Sequence, residues 1–523
     1  MKKTYFLILV IFVACKPSEK QLIDYVNPFI GTGGHGHTYP GAASPFGMVQ
    51  LSPDSRLEGW DGCGAYHYSD SVIYGFSHTH LSGTGISDYA DVLFMPTTGE
   101  LLLNNGSDGT DGYGSSFSHD NELAQPGFYQ VQLDDYNIGV ELTVSPRAGF
   151  HRYTFPKNEA AQVVLDLDHR DKLSAVFLEQ VDSVTFKGYR YSNQWATDQR
   201  IHFYAQFSAP VQALVYRSDS LVVGMKFGEL DNPLLVKVGI SAVDMLGAQQ
   251  NLEAEIPHWD FEKIKQSVQY VWETKLSNIQ IHGRDENHKT IFYTALYHSL
   301  LNPNLYTDAD GRYRGMDMQI HQDSTDNHYT IFSLWDTFRA THPLFTLIEQ
   351  EKTNEFIRTF LRQYRQGGKL PIWELAANYT NCMIGYHAIP VIADAYAKGI
   401  RDYDIEEAMD AMIYSANLDT EGLEYYKTKG FIAASDEPES VSKTLEYAYD
   451  DWCIAMMADS LGRDDVANYF YQRGQYYKNI YDPSTNFFRA KVNNNWFGPF
   501  VPDEVNFNYT EANAWQYSTF TPQ

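Results

Sequence analysis

Near one end of the 523-residue chain, the stretch Asn508-Tyr-Thr-Glu-Ala-Asn-Ala-Trp-Gln-Tyr517 sets a single carboxylate, Glu511, among Tyr509, Trp515 and Tyr517. A carboxyl group beside aromatic rings loses solvation, its pKa rises, and it keeps its proton nearer neutral pH. A group of that kind can protonate a departing alkoxide as a general acid. The same residues also read as a helix start, with Thr510 as cap and Glu511 in the first turn. Three other stretches place a carboxylate beside tryptophan: Asp336 after Trp335, Glu374 after Trp373, and Asp451 before Trp452. Indole stacking on a ring face, with a carboxylate on the hydroxyls, is the pairing that a sugar site uses. Each pair also reads as a buried, hydrogen-bonded carboxylate that positions helices. His35/His37 and His78/His80 are each two apart, which on a strand turns both rings to one face, as a metal pair needs. Loop histidines bonded to backbone or sugar hydroxyls are the reading we favour for them.

The elements that must carry these groups change character along the chain. Gly31-Thr-Gly-Gly-His-Gly-His-Thr-Tyr-Pro-Gly41 is a tight loop, and no Gly-Lys-Ser/Thr follows it, which excludes a P-loop. From about Phe117 to Asp244 short runs rich in β-branched and aromatic residues alternate with turn residues, predicting a large antiparallel sandwich. The period then lengthens. Asp260 caps a predicted helix with Phe261, Ile264, Val268 and Val271 on one face, read as a connector. From His288 onward the chain reads as roughly eight helical segments without a sheet, a bundle or an α/α toroid. In a toroid the loops at one rim converge, so Asp336, Glu374 and Asp451 are expected near a central pit.

Composition narrows the partners. Lys plus Arg number 39 and Asp plus Glu 66, a net charge of −27, which repels phosphate backbones and excludes nucleic acid. Aromatic residues reach 15%, suited to flat apolar sugar faces. Lys2 and Lys3 precede an apolar run, Tyr5 to Val13, too short to span a bilayer; it reads as an export signal. Phe12-Val-Ala-Cys15 resembles a bacterial lipoprotein cleavage box, placing a lipid anchor on Cys15 and the protein in the periplasm or at the outer membrane. Cys63, Cys382 and Cys453 show no metal-ligand spacing and read as small buried hydrophobes.

Taken together, the stretches resemble the exo-acting α-mannosidases of glycoside hydrolase family 92. The resemblance is carried by Val26-Asn-Pro-Phe-Ile-Gly-Thr-Gly-Gly-His-Gly-His37, Ser77-His-Thr-His-Leu-Ser-Gly-Thr-Gly85, Trp335-Asp-Thr-Phe-Arg339 and Gly367-Gly-Lys-Leu-Pro371. It is completed by Met383 to Tyr396 and Thr510 to Tyr517. The resemblance implies an N-terminal β-sandwich followed by an (α/α)6 toroid with the site between them, and calcium-dependent hydrolysis of mannose-containing oligosaccharides with inversion. On it, Glu511 matches the general acid; Asp336, with Trp335 and Arg339 of its motif, holds the terminal mannose; Trp60 helps to wall the site, and Trp515 joins the substrate contacts. The family's base aspartate lies in a Gly-Asn-acidic-Asp-Cys-Gly-Gln stretch downstream of the acid. That stretch does not occur in this sequence, so the base is expected outside these residues, the toroid is expected to be incomplete, and turnover by this chain alone is not expected. The expected domains are 1–20 signal and tether, 21–255 sandwich, 256–284 helical linker and 285–523 partial toroid. Linkage is expected to be α-1,2. The alternatives are a non-catalytic glycan-binding lipoprotein on the same scaffold and a glycoside phosphorylase, the latter disfavoured by the lack of a basic cluster near Glu511.

Overall fold

A computed structural model describes residues 20–520, with side chains through residue 519. The export segment and Cys15 lie outside the described residues. The first part is an antiparallel sandwich of a seven-stranded and an eight-stranded sheet. Alternation puts one face of each sheet inward. Phe94, on strand Leu93–Thr97 of the first sheet, meets Phe207, on strand Gln199–Phe207 of the second, with ring centroids 6.1 Å apart. The central strand of the larger sheet, Leu234–Ser241, pairs on both sides, for example Val236 with His151 and with Phe207. Gly239 on this strand has no side chain for a reason: a Cβ there would lie 2.2 Å from the Ala248 carbonyl oxygen of the helix above it.

That helix, α1 (Met245–Glu255), is capped by Asp244, whose carboxylate accepts from Gly247 N at 2.6 Å. Helix α2 (Phe261–Leu276) follows, and Asp260 caps it as the sequence predicts, accepting from Lys263 N at 3.1 Å. Its buried stripe runs Phe261, Ile264, Val268, Trp272 and Leu276; the stripe turns one residue past Val271, which is 40% exposed. Trp272 takes the inner place because its indole N–H finds the Ala43 carbonyl at 2.7 Å and satisfies its one polar group.

The second part is helical: α3 (Glu286–Ser299), α4 (Leu334–Thr337), α5 (Thr341–Ile348), α6 (Gln350–Gly367), α7 (Ala388–Ala397), α8 (Ile405–Ala416), α9 (Leu423–Lys429), α10 (Ser440–Ser460), α11 (Asp464–Arg473) and α12 (Ala514–Phe520). Contrary to the sheet-free expectation, small β-ribbons lie between the helices. One of them pairs Phe332 with Glu374 and Ser333 with Trp373, and its first strand runs directly into α4. Helix α10 is buried along most of its length, and α7, α8 and α11 pack against it. Among the described residues no helix is long and apolar enough to cross a membrane. Cys63 and Cys453 are buried free thiols and Cys382 is a partly buried one.

Candidate active site

Glu511 is positioned by a strap rather than by a helix. Residues ahead of it hydrogen-bond to the start of α10: Glu439 N to the Phe507 carbonyl (2.7 Å), Val441 N to the Asn508 carbonyl (3.1 Å), and Thr510 N to Ser442 Oγ (2.8 Å). Tyr509, Ala512, Ala514 and Tyr517 bury into a small core with Val441 and Leu445 of α10. The helix-start reading of Thr510 and Glu511 is therefore not met. α12 begins at Ala514, capped by Asn513, which accepts from Gln516 N at 3.1 Å and donates its own N–H to Gln516 Oε1 at 3.0 Å. Glu511 sits in the turn before it with φ +49, a left-handed conformation that non-glycine residues seldom adopt and that surrounding structure must hold.

The Glu511 side chain faces a cavity of about 440 Å³ lined also by Trp335, Asp336, Arg339, Glu446, Thr510 and Tyr517. Its carboxyl is raised above the ordinary glutamate value, first by desolvation and then by the negative charges of Asp336 and Glu439. Asp336, on α4, is reached by solvent through the cavity, yet the protein around it still raises its carboxyl, desolvation leading and Glu446 adding repulsion, against the hydrogen bond from Ser333 and the nearby His387.

Opposite Glu511 stands a carboxylate that the sequence reading missed. Glu446, on α10, receives Trp335 Nε1–H at 3.3 Å and the Tyr517 hydroxyl at 3.2 Å on Oε1, and its Oε2 lies 2.6 Å from His387 Nε2. Arg339 approaches the same Oε1 at 3.7 Å. The other ring nitrogen of His387 lies 2.9 Å from Asp450 Oδ1. Full burial opposes charge on this imidazole, but the two carboxylates outweigh it and push its pKa up to about 9. A signal for this trio is present in the sequence: Glu446 and Asp450 are four apart on one predicted helix and so share a face.

The other two tryptophan-carboxylate pairs are not in the cavity. Glu374 is fully buried and accepts from Thr330 Oγ1 (2.8 Å), Ile331 N (3.1 Å) and Ala377 N (2.6 Å). Burial lifts it to about 7 against those donors. Asp451 is buried against Arg473 Nε (2.8 Å) and the hydroxyls of Tyr386 (2.8 Å) and Tyr426 (3.1 Å). Both are structural. Trp515 also departs from expectation: its ring stands edge-on to Phe487 at 5.1 Å and does not line the cavity.

Asp336 is shared with a second cavity, about 390 Å³, formed between Gly31, Gly36, Thr38, Gly83 and Thr84 of the sandwich loops and His298, Ser333 and His342 of the helical part. Trp60 stands beside these loops, 60% exposed, with its ring edge-on to His37 at 4.8 Å; it lines neither cavity. His78 and His80 are buried within the sandwich. His78 Nδ1 lies 2.7 Å from the Val92 carbonyl and His80 Nε2 lies 2.6 Å from Asp54 Oδ1, so they act as core polar residues.

Two family models match: the glycosyl hydrolase family 92 N-terminal domain over residues 25–241 and the family 92 catalytic domain over residues 247–523. Among solved structures, a family 92 α-mannosidase from Bacteroides thetaiotaomicron is 36% identical with a TM-score of 0.91, covering 97% of this chain and 72% of its own. An inverting family 92 mannosidase from Bacteroides thetaiotaomicron VPI-5482 is 31% identical with a TM-score of 0.88, covering 96% and 71%. An uncharacterized secreted glycosidase of Arthroderma benhamiae is 25% identical; the alignment covers 93% of this chain, which spans 66% of that relative.

Proposed function

The chain belongs to glycosyl hydrolase family 92, and from that membership we propose that it acts in the release of terminal mannose from α-mannosides as an inverting, exo-acting hydrolase. The supporting observation is the cavity in which a carboxyl of raised pKa, Glu511, faces Asp336, Trp335 and the Glu446–His387 pair. Glu511 donates its proton to the glycosidic oxygen. Asp336 accepts from hydroxyls of the sugar, and the Trp335 indole offers a ring face. Trp60, which lines neither cavity, is given no substrate contact in this reading. The base of an inverting pair stands about 6.5–9.5 Å from the acid with water between. We assign it to no carboxylate of this cavity, because Glu446 is committed to Trp335, Tyr517 and His387.

The substrates we propose are N-glycan or mannan-type oligosaccharides, α-1,2-linked first. Two neighbours support mannose as the sugar, one of them an α-mannosidase solved with mannoimidazole. Export as a lipoprotein acylated on Cys15 goes with this reading, and the secreted glycosidase relative is in keeping with export. Calcium dependence rests on the family resemblance. Calcium takes six to eight oxygen ligands. Among the described residues, the group of three His, Cys or carboxylate ligands within reach of one another is His35, His37 and Asp61, which is rich in nitrogen and does not suit calcium. No step above is routed through the ion.

The test, made on the protein as its gene encodes it because turnover by the 523-residue chain alone is not expected, is incubation with α-1,2-mannobiose, following free mannose by proton NMR. Appearance of the β-anomer before mutarotation is the expected result. Binding without release would favour the glycan-binding alternative, and release of mannose 1-phosphate only when phosphate is present would favour the phosphorylase.

A further inference from the structure

The loop Gly31–Thr38 and the turn Trp60–Cys63 bring three metal-ligand side chains together outside the catalytic cavity. His35 Nδ1 lies 2.6 Å from Asp61 Oδ1, and His37 Nε2 lies 3.5 Å from that same oxygen. The ligand atoms of all three lie within 4.8 Å of one another. The His37 side chain is 7% exposed, and its Nε2 is a buried nitrogen with no hydrogen-bond partner. A buried imidazole nitrogen whose nearest acceptor, Asp61, stands at 3.5 Å with no formed hydrogen bond costs free energy, which a bound cation would relieve.

The backbone is built around this arrangement. His37 holds φ +51, an unfavourable value for a residue with a Cβ. Gly36 beside it cannot be any other residue, because a Cβ would fall 1.8 Å from the Gly31 carbonyl oxygen. The His37 carbonyl accepts from Gly83 N at 2.8 Å, and His67 Nε2 lies 3.1 Å from the Gly34 carbonyl, tying the loop down on both sides.

We propose that His35, His37 and Asp61 bind one divalent transition metal of the zinc class. Two imidazoles and a carboxylate suit zinc and its neighbours, and do not suit calcium or magnesium. Bonds of about 2.0–2.2 Å in a tetrahedral site set ligand atoms about 3.3 Å apart. The His37–Asp61 separation already has nearly that value. The His35–Asp61 separation has to open by under 1 Å, and His35, whose side chain is 79% exposed, is free to move that far. The fourth position is open to water. The metal staples the Gly/His loop, whose Gly36 and Thr38 line the second cavity, to the turn that carries Trp60.

The test uses the purified chain, stripped with chelator and then titrated with zinc chloride in the presence of excess calcium. Bound metal is read by emission spectroscopy and melting temperature by differential scanning fluorimetry. We expect one zinc per chain and a melting temperature that rises with zinc concentration. Cobalt(II) in its place should give visible d–d bands. His35→Gln, on an exposed ring, should leave the metal-free melting temperature unchanged while lowering zinc affinity at least about tenfold, as should Asp61→Asn. Failure to bind stoichiometric zinc, or unchanged zinc affinity in His35→Gln, would overturn the assignment. Mannose release plays no part in these readouts.

Discussion

Asp336 and Glu511, 175 residues apart in the chain, face one cavity, and the charge on Asp336 helps to hold the Glu511 carboxyl above the ordinary glutamate value. Removing that charge lets Glu511 ionise more readily. Asp336→Asn should therefore move the alkaline limb of the kcat–pH profile to lower pH, because the acid loses its proton sooner. Overall kcat/KM should also fall, since Asp336 is the proposed hydroxyl acceptor. An unmoved alkaline limb would dissociate the two groups.

The His387 imidazolium between Glu446 and Asp450 predicts how stability varies with pH. Its folded pKa of about 9 lies above the unfolded imidazole value of about 6.5. The folded state thus binds the extra proton between these values. The contribution is complete below pH of about 6.5 and is lost as pH rises through about 9. Melting temperature should fall across that window in the wild type. In His387→Gln the slope should vanish, with a loss of about 3–5 kcal/mol at pH 6 because two buried carboxylates lose their cation.

Glu374 separates a structural carboxylate from the proposed sugar-binding one, Asp336. Its three donors are all protein groups in the interior. Glu374→Ala leaves them unsatisfied and should destabilise the fold by about 1–3 kcal/mol, measured by denaturant titration. The KM for mannosides at a temperature where the variant is folded should stay within about twofold.

Trp335 and Trp515 should behave oppositely. Trp335→Phe removes the N–H that reaches Glu446 at 3.3 Å and should raise KM several-fold, the equivalent of about 1 kcal/mol for one long hydrogen bond of ordinary strength. Trp515→Ala loses its contact with Phe487 and should lower the melting temperature without changing KM.

The elements that the sequence made legible are those governed by local periodicity. Alternating β-branched runs gave the sandwich, and Asp260 gave the α2 cap. Glu511 and Asp336 were singled out by the motifs that carry the family resemblance, and they do line one cavity. What stayed hidden depends on tertiary direction. Trp335 and Trp515 both sit near a carboxylate in sequence, but only the backbone turn at Asn513 decides that Trp515 leans on Phe487. Glu374 and Asp451 carry the same Trp-carboxylate signature as Asp336 and are enclosed by donors from distant segments. Glu446 escaped notice because its partners, His387, Trp335 and Tyr517, come from three separate stretches that meet only when α10 is packed.

The central claim is that Glu511 delivers the proton to the departing oxygen, and substrate leaving-group chemistry tests it most directly. Glu511→Gln should be compared with the wild type on α-1,2-mannobiose and on 2,4-dinitrophenyl α-mannoside, whose leaving group departs without protonation. The account predicts a loss in kcat/KM of about 10²–10⁴-fold on the disaccharide and a loss at least tenfold smaller on the aryl mannoside, with the alkaline limb of the pH profile abolished. Equal losses on both substrates, or unimpaired disaccharide cleavage, would contradict it.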